Sequence, residues 1–165
     1  MAQSKLISKK TIELLNLRIK QEEESSRLYD QMRLWFDDKG YINLAKLYKK
    51  YADEEMTHAN WAKEYLIDYG FNPELSALEK PRNDWESPID IFTATLDHEE
   101  FVTTEIAKIG KAALEAGDYV LFALVSRYQA EQQEEISKAV NNLDIAQLTN
   151  DNLILDQYIG ENLLG

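Results

Sequence analysis

The chain has 165 residues and a mass of 19.1 kDa; a chain of about 150 residues buries roughly 70% of its unfolded surface, so one domain with its own core is expected over residues 1–165. Thirty Asp and Glu against eighteen Lys and Arg leave a net charge of −12 and a pI near 4.6, which repels phosphate and argues against a nucleic-acid partner or an anionic membrane surface. Cysteine is absent, which excludes disulfides, thiolate metal sites and Cys nucleophiles. No apolar run approaches the roughly 18 residues of a membrane span, and residues 1–10 carry no signal-like apolar stretch. A reducing cytoplasm is the expected setting.

Six Gly and three Pro leave room for long uninterrupted helices. Segment one, about 8–38, carries Ile12, Leu15, Ile19, Glu22, Ser26, Tyr29, Met32 and Phe36 at spacings of three and four, and stops at Gly40. Segment two, about 41–69, carries Leu44, Tyr48, Tyr51, Glu55, His58, Ala62, Tyr65 and Tyr69, and stops at Gly70. Segment three, about 88–116, carries Phe92, Leu96, Glu99, Val102, Ile106 and Ala113, and stops at Gly117. Segment four, about 118–142, opens on Asp118 as a cap and carries Leu121, Leu124, Tyr128, Glu131 and Glu135. A short tail helix is expected over about 150–163.

Connection lengths give the topology. Tight turns join segments one to two and three to four, so each pair is antiparallel. Residues 70–87 join segments two and three. Eighteen extended residues reach about 60 Å, more than the roughly 42 Å of a 28-residue helix. The connection can cross the bundle and make segments two and three parallel. The expected architecture is all-α: a four-helix bundle with one long crossover, plus a short fifth helix.

Each seam is apolar except near its middle, where Glu22, Glu55 with His58, Glu99, and Glu131 with Glu135 interrupt it. Helices of similar length bring their midpoints to one height, so these groups should meet in one interior layer. A run of acids usually lies on a solvated face. Four such runs at four helix midpoints do not fit that explanation.

An unpaired buried carboxylate costs several kcal/mol, and four or five would exceed the roughly 5–15 kcal/mol that holds a domain together. No adequate cation is visible on the seams. The carboxylates must share protons or grip a polyvalent cation. Glu55-x-x-His58 favours the cation, because residues three apart share a helix face. Carboxylates with one imidazole suit a first-row transition metal, iron foremost, over calcium or magnesium.

The stretch Glu54-Glu55-Met56-Thr57-His58 resembles the second helix of a ferritin. Glu22 seven residues before Tyr29 resembles the first helix, His98-Glu99 the third, and Glu131-Gln132-Gln133-Glu134-Glu135 the fourth. The chain thus resembles a prokaryotic-type, non-haem ferritin. That resemblance implies a di-iron centre with ferroxidase activity. Glu22, Glu55 and His58 would hold the first iron, with Glu55 bridging. Glu99 and Glu135 would complete the second, with Gln132 beside it to orient dioxygen and Tyr29 near enough to supply an electron. Glu54, Glu131 and Glu134, with Glu135 shared, would form an outlying third iron site. The resemblance also implies a homo-oligomeric shell of twenty-four subunits that stores ferric mineral, with Fe(II) and dioxygen or peroxide as its substrates.

Departures narrow the family. Where bacterioferritins and rubrerythrins have a second Glu-x-x-His, this chain reads Gln132-x-x-Glu135. Met56 stands where bacterioferritins carry a haem-ligating Met and is read as a packing residue, so haem is not expected. His98 falls off the strict seam and is read as a surface or interface residue, the alternative being a ligand or a group supporting the ligands. Two other functions fit the residues: a di-iron oxidoreductase acting on peroxide or an organic substrate, and a metal-free helical interaction protein.

Overall fold

The computed structural model describes residues 2–164. Among the described residues there are five helices and no strand: α1 (Lys9–Lys39), α2 (Ile42–Asp68), α3 (Pro88–Ala116), α4 (Tyr119–Leu148) and α5 (Asn152–Asn162). None of them is long and apolar enough to cross a membrane.

Local chemistry sets the ends. Ser8 accepts the Thr11 N–H at the start of α1, and Ser87 accepts the Asp90 N–H at the start of α3, with Pro88 in the first turn. Gly40 (φ 79°) and Gly117 (φ 65°) take the left-handed conformation that closes α1 and α3. Asp118 caps α4 through the Leu121 N–H at 2.9 Å and also accepts the Thr11 hydroxyl at 2.8 Å. That one carboxylate ties the starts of α1 and α4 together.

α1 packs along α2 and α3 along α4. Contacts from α1 to α3 run in opposite chain directions: Gln21 to Glu105, Tyr29 to Glu99, Met32 to Thr95. α2 and α3 are therefore parallel, as the length of the crossover allows. The crossover has no regular structure and runs along α1. Its Glu74 N–H donates to Asn16, its Glu79 N–H to Glu24, and its Trp85 carbonyl accepts the Trp35 indole.

The core is two apolar clusters, one at each end of the bundle. One is built on Tyr29, Phe36, Leu44, Tyr48, Ile91 and Phe92. The other is built on Leu15, Ile19, Leu66, Ile106, Leu121 and Val125. Between them lie the buried polar groups Glu22, Glu55, His58, Glu99, Gln132 and Glu135.

α4 continues to Leu148, six residues beyond the expected stop near Asn142. Asn142 is buried and donates its amide to the Tyr51 hydroxyl at 2.7 Å. With that partner satisfied it behaves as a core residue, and Ala146 continues the seam.

α2 has no cap of its own. Asp156 on α5 supplies one, accepting the Asn43 and Leu44 N–H groups at 2.9 Å each. Gly160 makes the approach possible, because a Cβ there would sit 2.6 Å from the Asn43 side chain. Leu155 and Ile159 are buried on the same face. The tail helix thus rests on the start of α2. Asp156→Ala should lower stability by about 1–2 kcal/mol, the usual worth of a cap, read as a fall in thermal midpoint. An unchanged midpoint would show that the cap does not hold the tail.

Candidate metal centre

One side-chain ligand atom from each of Glu22, Glu55 and His58 lies within 4.8 Å of the other two, and all three residues are buried. Glu22 comes from the middle of α1. Glu55 and His58 come from α2, one helical turn apart, with His58 Nδ1 3.1 Å from Glu55 Oε2. His58 is fixed from two sides. Its backbone carbonyl accepts the Tyr128 hydroxyl at 2.7 Å, and its ring lies 4.8 Å from that of Trp61.

Glu99 of α3 and Glu135 of α4 share the layer but stand outside this trio. Glu99 accepts the Tyr29 hydroxyl and the Gln132 amide. Glu135 is paired with Lys138 at 2.8 Å. A void of about 10 Å³ lies among Tyr29, Tyr51, Glu99, Glu135 and Lys138.

The seam register in α4 differs from expectation. The buried positions are Leu121, Val125, Tyr128, Gln132, Glu135, Ala139 and Asn142. Their spacing is a regular four–three alternation, which selects Val125 and Gln132 where Leu124 and Glu131 were expected. Glu131 is only partly buried and Glu134 is exposed. The same one-residue slip places Ser25, Leu66 and Thr95 inside in place of Ser26, Tyr65 and Leu96.

The outlying group is looser. Glu54 is half-buried, and Lys138 lies 3.9 Å from it while holding Glu135. Glu131 reaches toward His58 Nε2 at 3.9 Å. Glu54, Glu131 and Glu134 form no close cluster among the described residues.

Two cations contradict the expectation that none faces the layer. Lys138 is one. The other is Arg18, 1% exposed, with Nε 2.8 Å from Glu22 Oε1. His98 also departs from its expected place. It is mostly enclosed, with Nε2 2.8 Å from the Ser25 hydroxyl and its ring edge-on to Tyr29 at 5.7 Å. Burial, and then Arg18, hold His98 down to about 4, so it is neutral. Met56 is exposed on α2.

The electrostatics follow from burial. Loss of water pushes the Glu22 carboxyl up to about 8; Arg18 opposes this and Glu55 reinforces it. Loss of water, then the Glu99 charge, pushes Glu55 up to about 8. Glu99 rises to about 7, mainly by burial, against the hydrogen bonds from Tyr29 and Gln132. The metal-free layer therefore holds protons near neutrality. Buried carboxyls facing one imidazole are a donor set that a transition metal satisfies by replacing those protons.

The family described as Ferritin-like domain matches residues 12–148. The chain belongs to that family. It is 33% identical over 130 residues to a bacterial non-heme ferritin of Escherichia coli O6:H1, covering 79% of each chain. It is 28% identical over 158 residues to that of Campylobacter jejuni, covering 93% of this chain and 95% of the other. Among solved structures, an open pore ferritin from the hyperthermophilic archaeon Archaeoglobus fulgidus superposes with a TM-score of 0.89 at 29% identity, covering 93% of this chain and 97% of the other. The four-helix bundle of this ferritin-like chain is thus a family property, and its carboxylate layer lies within the matched residues.

Protonation of the layer fixes a pH dependence. Folded-state values of about 8 for Glu22 and Glu55 lie above the ordinary glutamate value of 4.5. The metal-free fold therefore binds protons that the unfolded chain has released, and it loses stability as pH rises through that window. A divalent metal must displace those protons. Calorimetry of Zn(II) binding in buffers of different ionisation heat should detect proton release near pH 7 that shrinks toward zero above about pH 9. Release that does not vary over this range would contradict the assignment of these carboxyls.

Proposed function

We propose that this chain oxidises Fe(II) at the buried layer and stores the ferric product inside a shell of its own copies. The observation that carries the reading is the Glu22–Glu55–His58 trio, buried between two apolar clusters and poised as a ligand set. Glu22, Glu55 and His58 hold the first Fe(II), with Glu55 reaching toward both metals. Glu99 and Glu135 complete the second position. Lys138 withdraws from Glu135 to admit the metal, which its partly exposed place at the bundle edge allows. Gln132 steadies Glu99 and faces the oxidant. Tyr29, hydrogen-bonded to Glu99, is placed to pass an electron.

The chemistry needs two electrons. Each Fe(II) gives one, and dioxygen is reduced to the level of peroxide; peroxide itself can serve as the oxidant. Holding both metals in one site replaces an improbable meeting of three reactants by a local event. Anionic oxygen ligands stabilise Fe(III) over Fe(II) and so drive the oxidation. Glu54, Glu131 and Glu134, with Glu135 shared, form the outlying third position on the way to the mineral. Their exposure suits a relay more than a tight site.

The void among the carboxylates, about 10 Å³, holds an ion or a water and not an organic substrate. Leu148, Leu153 and Ile154 are exposed near the tail helix and are suited to contacts between subunits. A shell of twenty-four copies and a cytoplasmic location belong to the same proposal.

Aerobic addition of Fe(II) should produce ferric absorbance at a rate at least tenfold lower in an Glu55→Ala, His58→Ala double variant. Sedimentation should show that the variant still assembles. Oxidation at the parental rate would remove the site from the reading, and a parental protein that sediments only as monomer or dimer would remove storage.

A further inference from the structure

Arg18 is a charge in an unusual place. It is 1% exposed, one helical turn before Glu22 on the inward face of α1. Its guanidinium lies 6.0 Å from the Tyr128 ring centroid, among the residues of the second apolar cluster. Buried arginines normally spend their five N–H groups on bidentate acceptors. Among the described residues its one ion-pair partner is Glu22, and neither Nε, Nη1 nor Nη2 makes a well-formed hydrogen bond. The second oxygen of Glu22 is likewise unpartnered.

Stability alone does not account for it. Replacing a buried ion pair by packed apolar residues is often neutral or stabilising, and Arg18 adjoins a cluster that Leu or Met would extend. Lys138 offers the contrast. It pairs with Glu135 from the bundle edge, where its side chain is 37% exposed, so it can swing into water when a metal arrives. Arg18 has no such exit, so its charge stays within the layer.

Resting on the ferroxidase reading above, we propose that Arg18 is a built-in cation of the first metal position, holding Glu22 in the metal-free chain and weakening the metal that replaces it. Metal binding is then an exchange. Glu22 turns from the guanidinium to the metal, and two positive charges remain side by side in a dry interior. The repulsion grows with the metal's charge, so it weighs more on Fe(III) than on Fe(II). The residue therefore sets the first position to release its oxidised product. Arg18 is a positioning residue that acts through Glu22; it contacts neither metal nor oxidant.

The test is the affinity of the assembled, metal-free protein for Zn(II), measured by calorimetry at one fixed pH for every variant. Arg18→Gln should bind the first Zn(II) per subunit at least tenfold more tightly than the parent, and Arg18→Lys should stay within threefold of it. Glu22→Gln should weaken the same step. If Arg18→Gln does not fold, Arg18→Met, similar in length and uncharged, carries the same expectation. Affinity unchanged or weaker in the uncharged variants overturns the proposal. So does a Lys variant that binds as tightly as the Gln variant, because the effect would then be one of shape. Parental protein that binds no Zn(II) at the trio instead overturns the ferroxidase reading itself.

Discussion

Carboxylates in a dry interior are the constraint around which this bundle is organised. Water normally stabilises the ionised form of Glu, and the low dielectric of a helix bundle withdraws that support. Glu22, Glu55, Glu99 and Glu135 all sit below 9% exposure, with apolar clusters above and below them. The two clusters are what a four-helix bundle needs for stability. The layer between them adds nothing to hydrophobic burial, and it persists because each carboxyl has something that manages its charge.

Those managers differ from group to group. Glu22 has Arg18 and the nearby Glu55, with which it is protonated near neutrality. Glu99 has two neutral donors, the Tyr29 hydroxyl and the Gln132 amide. Glu135 has the retractable Lys138. Protons, hydroxyl and amide donors, and organic cations thus balance the layer in the metal-free chain, the role the proposed function gives to metal ions. The trio on α1 and α2 is nearly assembled without metal, because Glu55 and His58 share a helix face by sequence alone. The pair on α3 and α4 has partners of its own, which a metal bound there under the proposed function would have to displace.

The sequence made the large features legible because each is local. Heptad spacing gives long amphipathic helices, left-handed glycines give their ends, and residues 70–87 are long enough to cross the whole bundle. Glu55-x-x-His58 is visible because three residues are one turn. What stayed hidden depends on packing between elements. Arg18 escaped notice because an isolated Arg beside Leu17 and Ile19 reads as a solvated side chain; only the bundle shows that its direction is inward. Gln132 against Glu131, and Val125 against Leu124, are choices between neighbours about 100° apart on a helix. A heptad tolerates either, and interhelical contacts decide. Asn142 resembled a helix stop until its partner Tyr51, ninety-one positions away in sequence, was known. Asp156 as the cap of α2 has no local signature at all.

The placement of the layer also explains how a rigid bundle can host a site that changes occupants. Each apolar cluster draws on residues from all four long helices, so the staves are clamped at two heights, above and below the charged groups. Between the clamps, a Glu can exchange a proton, a guanidinium or a metal by rotating its side chain. No apolar contact need break. Tight packing transmits volume changes, but trading a proton for an ion among carboxylates changes charge much more than volume. The seam would lose this property if the acids were scattered along it, because every exchange would then disturb a cluster. Four helices crossing at one height, each with its polar interruption at the midpoint, confine the variable charge to one slice of the molecule and leave the rest of the core to hold the fold.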